Sequence, residues 1–139
     1  VHDRYIKTAY NIFLSNKIIG SGPNTFRYKC HQYSKDLYDD SRGCNSHPHN
    51  TYAQLLAEIG LLGFILIFGM FIYLLYSFTT NAFFIKSNDR YRYSKICLLA
   101  YFIIALFPFT PTGNFFNNWI CAIYFLPVGI FLSKFVKNE

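Results

Sequence analysis

Apolar and polar residues alternate with different periods along the 139-residue chain, and those periods predict its elements. The longest uninterrupted feature runs from Ile59 to Thr80, IGLLGFILIFGMFIYLLYSFTT, without a single charge. At 1.5 Å per residue such a run is long enough to cross a hydrocarbon layer of ~30 Å, which predicts a transmembrane helix over about 59–80. Two more blocks, 94–111 with its prolines and 118–136 with no charge before Lys134, predict a second and a third span. A soluble core built from three nearly charge-free helices would leave too little chain to cover it.

Upstream the period changes. Between Arg4 and Ile19 the apolar residues Ile6, Ala9, Tyr10, Phe13 and Leu14 recur near every 3.6 positions, with Lys7, Asn11 and Lys17 between them. This predicts an amphipathic helix over 4–19 lying on the outer face of the membrane. Gly20 to Pro23, GSGP, ends it, because glycine suits a left-handed cap and proline cannot continue a helix. From there to Ser46 the chain reads as a polar loop, 20–46, with no usable period. Pro48 favours the first turn of a helix, and Ser46 or Asn50 is a suitable cap, so the helix of the first span should begin within a residue or two of His49. The expected fold class is an all-α membrane protein, with an extracytoplasmic region 1–58 preceding three spans.

Charge sets the expected orientation. KSNDRYRYSK, Lys86 to Lys95, carries four Lys or Arg against one Asp, and the tail SKFVKNE carries two Lys. By the positive-inside bias both belong in the cytoplasm, which places 1–58 outside and the carboxyl terminus inside. The net charge of +6 does not imply nucleic acid, since the basic residues form no single patch with interleaved aromatics. A start at VHDRYIK, with no initiator methionine and no signal-peptide pattern, leads to the expectation that this is the C-terminal piece of a larger multi-span protein.

Candidate chemistry concentrates where the first span begins. His47, Pro48, His49 and Asn50 precede it, and Asn50, Gln54 and Glu58 follow one another at single-turn spacing along one helix face. A helix amino end favours anions, and the same field keeps a histidine neutral and able to accept a proton. As isolated interfacial residues these would be caps and solvated charges; together they favour a polar cavity. Cys30, His31, Cys44, His47 and His49 are all zinc-ligand types, but their spacing lacks the paired arrangement of closed sites. A Cys30–Cys44 disulfide closing a loop of about fourteen residues, worth roughly 3 kcal/mol, is favoured over zinc. Cys97 and Cys121, inside predicted spans, are expected to be inert buried thiols. Arg4 offers a planar, permanently charged fork for phosphate oxygens, and Arg27, Lys29 and Arg42 offer similar but less well-placed charge. No P-loop, acidic metal pair or Ser-His-Asp order is present.

RYIKTAYNIFLSNKIIGSGPNTF, then HPHNTYAQLLAEIGLLGF, then FPFTPTGNFFNNW resemble, in order and spacing, the C-terminal half of the bacterial O-antigen ligase and O-antigen polymerase family of membrane glycosyltransferases. The most specific part is H-x-H-N-x-x-x-x-x-L-x-E-x-G-x-x-G, supported by G-x-G-P-x-x-F upstream. The resemblance implies a multi-span inner-membrane enzyme with a periplasmic loop. It would take a glycan from undecaprenyl diphosphate and pass it to a sugar hydroxyl on lipid A-core or a growing polysaccharide, with neither a nucleotide sugar nor a metal. The family's functional histidine falls on His49, with His47 beside it. Its phosphate-binding arginine falls on Arg4, with Asn50 and Arg27 as further substrate contacts, and Gln54 and Glu58 are expected to orient His49 or a neighbouring helix. The Cys30/Cys44 pair is no part of the general pattern. Two other classes compete: a transporter or flippase with a polar path through its spans, and a membrane scaffold whose periplasmic loop is held by a disulfide or zinc.

Overall fold

The computed structural model describes residues 2–38, 42–84 and 89–133. Among them are five α-helices and no strand: α1 (His2–Ser15), α2 (Phe26–Tyr38), α3 (Thr51–Thr79), α4 (Asp89–Ala105) and α5 (Asn118–Leu132), with a π-helical turn, Thr80–Phe84, after α3. The chain divides into two compact units, one made of residues up to Ile67 with Pro108–Ile120, the other of Phe68–Phe107 with the residues from Cys121 on.

In the first unit α1, α2 and the head of α3 share a small core of Ala9, Ile12, Phe26, Cys30 and Ala57, with Tyr33, Cys44 and Ala53 against it. α1 turns Thr8, Ala9 and Ile12 inward and leaves Ile6, Tyr10 and Leu14 exposed. Of the expected apolar stripe, Ala9 enters the core, while Ile6, Tyr10 and Leu14 stay outside it. The helix also ends at Ser15 rather than at 19, where the Ser15 hydroxyl donates to the Ile12 carbonyl at 2.7 Å. α2 replaces part of the expected irregular loop. Phe26, Cys30 and Tyr33 recur at helical spacing and all meet the core, and Arg27, Tyr28, Lys29, His31 and Gln32 between them hide that period.

α3 is broken at Gly60, whose φ of 66° and ψ of −170° are not helical. In an unbroken helix the N–H groups of Leu61 and Leu62 would donate to the carbonyls of Ala57 and Glu58. Here they donate to the carbonyls of Lys17 and Ile18, at 2.8 and 3.1 Å. The abandoned carbonyls of Ala57 and Glu58 accept instead from the N–H groups of Ser21 and Gly22, at 3.0 and 2.8 Å. Two intrahelical hydrogen bonds are thus exchanged for four to the segment 17–22, so these two carbonyls and two N–H groups all keep a partner across the break. The exchange requires the two backbones to touch, and Gly20 meets Gly60 where they do. A Cβ built on Gly20 would lie 2.4 Å from the Gly60 nitrogen, and one on Gly60 would lie 2.4 Å from the Gly20 nitrogen.

The second unit is an aromatic core on α3, α4 and α5. Phe78 stacks edge-on against Phe102 and Phe131, with ring centroids 5.1 and 4.1 Å apart, and Phe71 meets Phe102 at 6.2 Å. The Tyr101 hydroxyl donates to the Ile123 carbonyl at 2.8 Å, and Pro127 is buried within α5. One described helix, Thr51–Phe83, is long and apolar enough to cross a membrane; Tyr93–Ala105 and Asn118–Leu132 are apolar but shorter than the ~20 residues a span needs. The expected second span thus ends at Ala105 and not at 111, because the chain turns into a proline-containing loop; residues 134–136 of the third, like Lys86 and the basic tail, lie outside the described residues. Cys97 is exposed and Cys121 half-buried, a correction to the expected buried thiols, since two short helices cannot enclose all of their apolar positions.

Candidate functional site

Asn50 starts the site by starting the helix. Its Oδ1 accepts from the Ala53 N–H at 3.0 Å, the geometry of a helix cap, and its backbone carbonyl takes the Gln54 N–H at 3.0 Å. Its Nδ2 donates to the Pro108 carbonyl at 2.7 Å, so the side chain is committed at both ends to structure. Immediately before it His49 holds a positive φ of 55°, a conformation uncommon for a residue with a β-carbon. That backbone turn is held by the loop after Pro108: the Thr112 N–H donates to the His49 carbonyl at 3.0 Å, and the Thr51 hydroxyl meets that of Thr112 at 2.9 Å.

Both imidazoles are pinned. His47 Nε2 faces the Thr112 carbonyl at 3.2 Å and must donate to it, which leaves Nδ1 to accept from the Ser46 hydroxyl at 2.9 Å. His49 Nε2 lies 2.9 Å from Asn45 Nδ2. Asn45 Oδ1 already takes the Ser46 N–H at 2.7 Å, so Nδ2 is the amide group facing the ring. His49 Nε2 therefore carries the lone pair and Nδ1 the proton.

Further rings close around His49. The His47 ring lies 4.1 Å away, and the amino end of α1 brings His2 to 5.4 Å and Tyr5 to 5.5 Å. Arg4 sits between His2 and Tyr5 in that same first turn. Burial lowers the His49 pKa below its ordinary value, and repulsion from His2 lowers it further. The expected cause was the helix amino end; the larger one is desolvation, because rings from α1 and His47 surround the imidazole. His47 is lowered by burial first and then by His49; its bond to Thr112 opposes them, and Arg27 adds the smallest lowering effect.

A buried polar network lies one and two turns further along α3. Glu58, 1% exposed, accepts the Phe26 N–H on Oε1 at 2.8 Å and the Asn24 N–H on Oε2 at 3.0 Å, placing a carboxyl group at the amino end of α2. Gln54 Nε2 donates to the same Oε2 at 3.0 Å and to Asn114 Oδ1 at 2.6 Å, and Gln54 Oε1 takes the Phe115 N–H at 2.9 Å. Asn114 Nδ2 and Arg27 Nη2 both donate to Asn24 Oδ1, at 2.9 and 2.7 Å. Gln54 and Glu58 thus make their bonds to α2 and to the loop through Asn114, and Arg27 is tethered where its charge reaches His47. Sequence reading missed His2, Tyr5, Thr112 and Asn114, since folding alone brings them beside the motif, and it missed Asn45, which stands next to the motif but carries no chemistry of its own; only the distant NFFNNW and TPTG polar residues, out of place between apolar blocks, hinted at Thr112 and Asn114.

Cys30 and Cys44 are joined by a disulfide, with Cα atoms 5.0 Å apart. Their sulfurs and the His31 ring lie within 4.8 Å of one another, a possible metal triad by distance alone. With the sulfurs bonded to each other only the imidazole remains as a ligand, which fits zinc poorly. Past the break at Gly60, an apolar cavity of about 500 Å³ is lined by Ile18, Leu61, Leu62, Ile65 and Leu66.

The site is thus a cluster of histidines at the head of a helix long and apolar enough to cross a membrane. Residues 4–68 match the family model of the O-antigen ligases, consistent with the C-terminal portion expected from the sequence. The matched stretch includes α1, the Gly20 segment, α2, the histidine motif and the head of α3. At the level of the family, the match supports glycan transfer of the O-antigen ligase type. No curated protein and no solved structure gives a match to the chain.

Proposed function

We propose that the cluster around His49 transfers a glycan from undecaprenyl diphosphate to a sugar hydroxyl at the periplasmic face of the bacterial inner membrane. The acceptor is lipid A-core or a growing polysaccharide. The observation that carries this reading is His49 itself: an imidazole with its Nε2 lone pair met by the Asn45 amide, held in a strained backbone turn at the head of the apolar helix, against the turn of α1 that carries Arg4 and beside His47, which the Arg27 charge reaches.

The step follows from those parts. The acceptor oxygen attacks the anomeric carbon, its proton passes to His49 Nε2, and the bond from that carbon to the phosphate oxygen breaks with its electron pair. Lipid diphosphate leaves, and the configuration at the transferred sugar inverts. General-base assistance of this kind is worth typically 10²–10⁴ in rate. Charge grows on the leaving diphosphate, and fixed arginine forks stabilise it where other transferases use a metal. His47, with both ring nitrogens occupied, supports the ring of His49 and does not compete for the proton. The aliphatic cavity beyond Gly60 suits part of the lipid chain, and the exposed Ile6, Tyr10 and Leu14 suit a helix resting on the membrane surface.

Full-length protein reconstituted in proteoliposomes tests the reading. Given a glycan on undecaprenyl diphosphate and a sugar-hydroxyl acceptor, it should form a glycoside of inverted anomeric configuration, at a rate unchanged by chelator. Failure to transfer, retention of configuration, or transfer only from a nucleotide sugar contradicts it.

A further inference from the structure

We infer that Asn45 is a positioning residue that holds the place of the acceptor hydroxyl at His49, carried on a loop that the Cys30–Cys44 disulfide ties to α2. This rests on His49 being the general base. In the Nδ1–H tautomer the imidazole has one proton acceptor, Nε2, and Asn45 Nδ2 occupies it at 2.9 Å. A hydroxyl that is to lose its proton must approach that same nitrogen to roughly 2.6–3.2 Å. Amide and acceptor therefore exclude each other, and the first marks the position of the second.

The loop is built for such an exchange. Cys44, next in sequence to Asn45, is bonded to Cys30, which is fully buried in the core of the first unit, and the Gly43 N–H donates to Ser34 Oγ of α2 at 2.9 Å. The backbone on the amino side of Asn45 is thus anchored, while its side chain is exposed and can turn into water. Until an acceptor arrives, the amide donates to the lone pair and so favours the neutral ring. The other titratable groups facing His49 are His2 and Tyr5 from α1 and His47 from its own loop, with Arg27 acting on His47; none of these donates to Nε2.

A bland alternative is that Asn45 serves only to fold its loop, through Oδ1 and the Ser46 N–H. Asn45→Asp separates the two, because it keeps that acceptor but replaces the donor by a carboxylate. In the full-length protein the acid limb of transfer, set by protonation of His49, should then move up by about one pH unit or more, since an adjacent negative charge favours the imidazolium. Asn45→Ala should lower the acceptor KM by about 2–10-fold, the equivalent of one competing hydrogen bond, and leave the donor KM unchanged. An unmoved acid limb in Asn45→Asp, or an unchanged or raised acceptor KM in Asn45→Ala, overturns the inference. Histidine ¹⁵N NMR on the unmutated protein needs no variant to fold: Nδ1–H at His49 supports it and Nε2–H overturns it. Full activity in His49→Ala would instead remove the base assignment beneath it, so the two failures are distinguishable.

Discussion

His49 and Asn50 were legible as residues because their chemistry is local: a cap and a histidine before an apolar run need no distant partner to be recognised. The environment of His49 was not legible. His2 and Tyr5 stand more than forty positions upstream, and Thr112 about sixty downstream. Asn50 had been expected to touch substrate, and the structure instead spends both ends of its amide on Ala53 and Pro108. Arg4 rests on placement in the turn of α1 that packs against His49. If it holds the diphosphate, Arg4→Ala removes a charge-assisted contact worth about 1.5–3 kcal/mol, or roughly 10–100-fold in donor KM. Steady-state kinetics with donor and acceptor varied separately should show that loss in the donor alone; an equal effect on both substrates would take Arg4 out of the site.

At the scale of elements, composition located the apolar run and the glycines of GSGP, although α1 stops five residues before them at Ser15, and the relation of the two stretches was invisible. The sequence shows two separate glycines, and only the fold shows that Gly20 and Gly60 occupy one another's side-chain space. α2 was missed for a different reason. Its core-facing Phe26, Cys30 and Tyr33 are few and stand among Arg27, Lys29, His31, Gln32 and Lys35, so tertiary burial and the Glu58 carboxyl at its amino end support a helix that propensity alone does not announce. The paired glycines give a controlled comparison. A β-carbon at Gly60 meets backbone atoms that cannot yield, and φ is positive there, so Gly60→Ala should lower the thermal unfolding midpoint of the detergent-solubilised protein sharply. Gly69, also in α3, has open space around its β-position, and Gly69→Ala should be neutral or stabilise by up to about 1 kcal/mol. Equal melting behaviour of the two variants would mean that the contact between segment 17–22 and α3 is not what holds the break.

For the whole molecule, hydropathy announced a membrane protein, and the long apolar helix with the O-antigen ligase match over residues 4–68 bears out that much. The number of spans and their direction are another matter: the two shorter helices fall below spanning length, and Lys86, Lys134 and Lys137, half of the basic residues that would orient them, lie outside the described part. What the fold adds is convergence. The Pro108–Phe115 loop, separated from the histidine motif in sequence by residues 51–107, supplies the carbonyls and amides that shape His49, Asn50 and Gln54. The account therefore stands on one base at one helix head. The most direct measurement is single-turnover transfer by full-length His49→Ala in proteoliposomes with the lipid-linked donor already bound. The account predicts donor binding near that of the unmutated protein, with transfer slowed by about 10²–10⁴. Transfer at the unmutated rate with donor bound would contradict it.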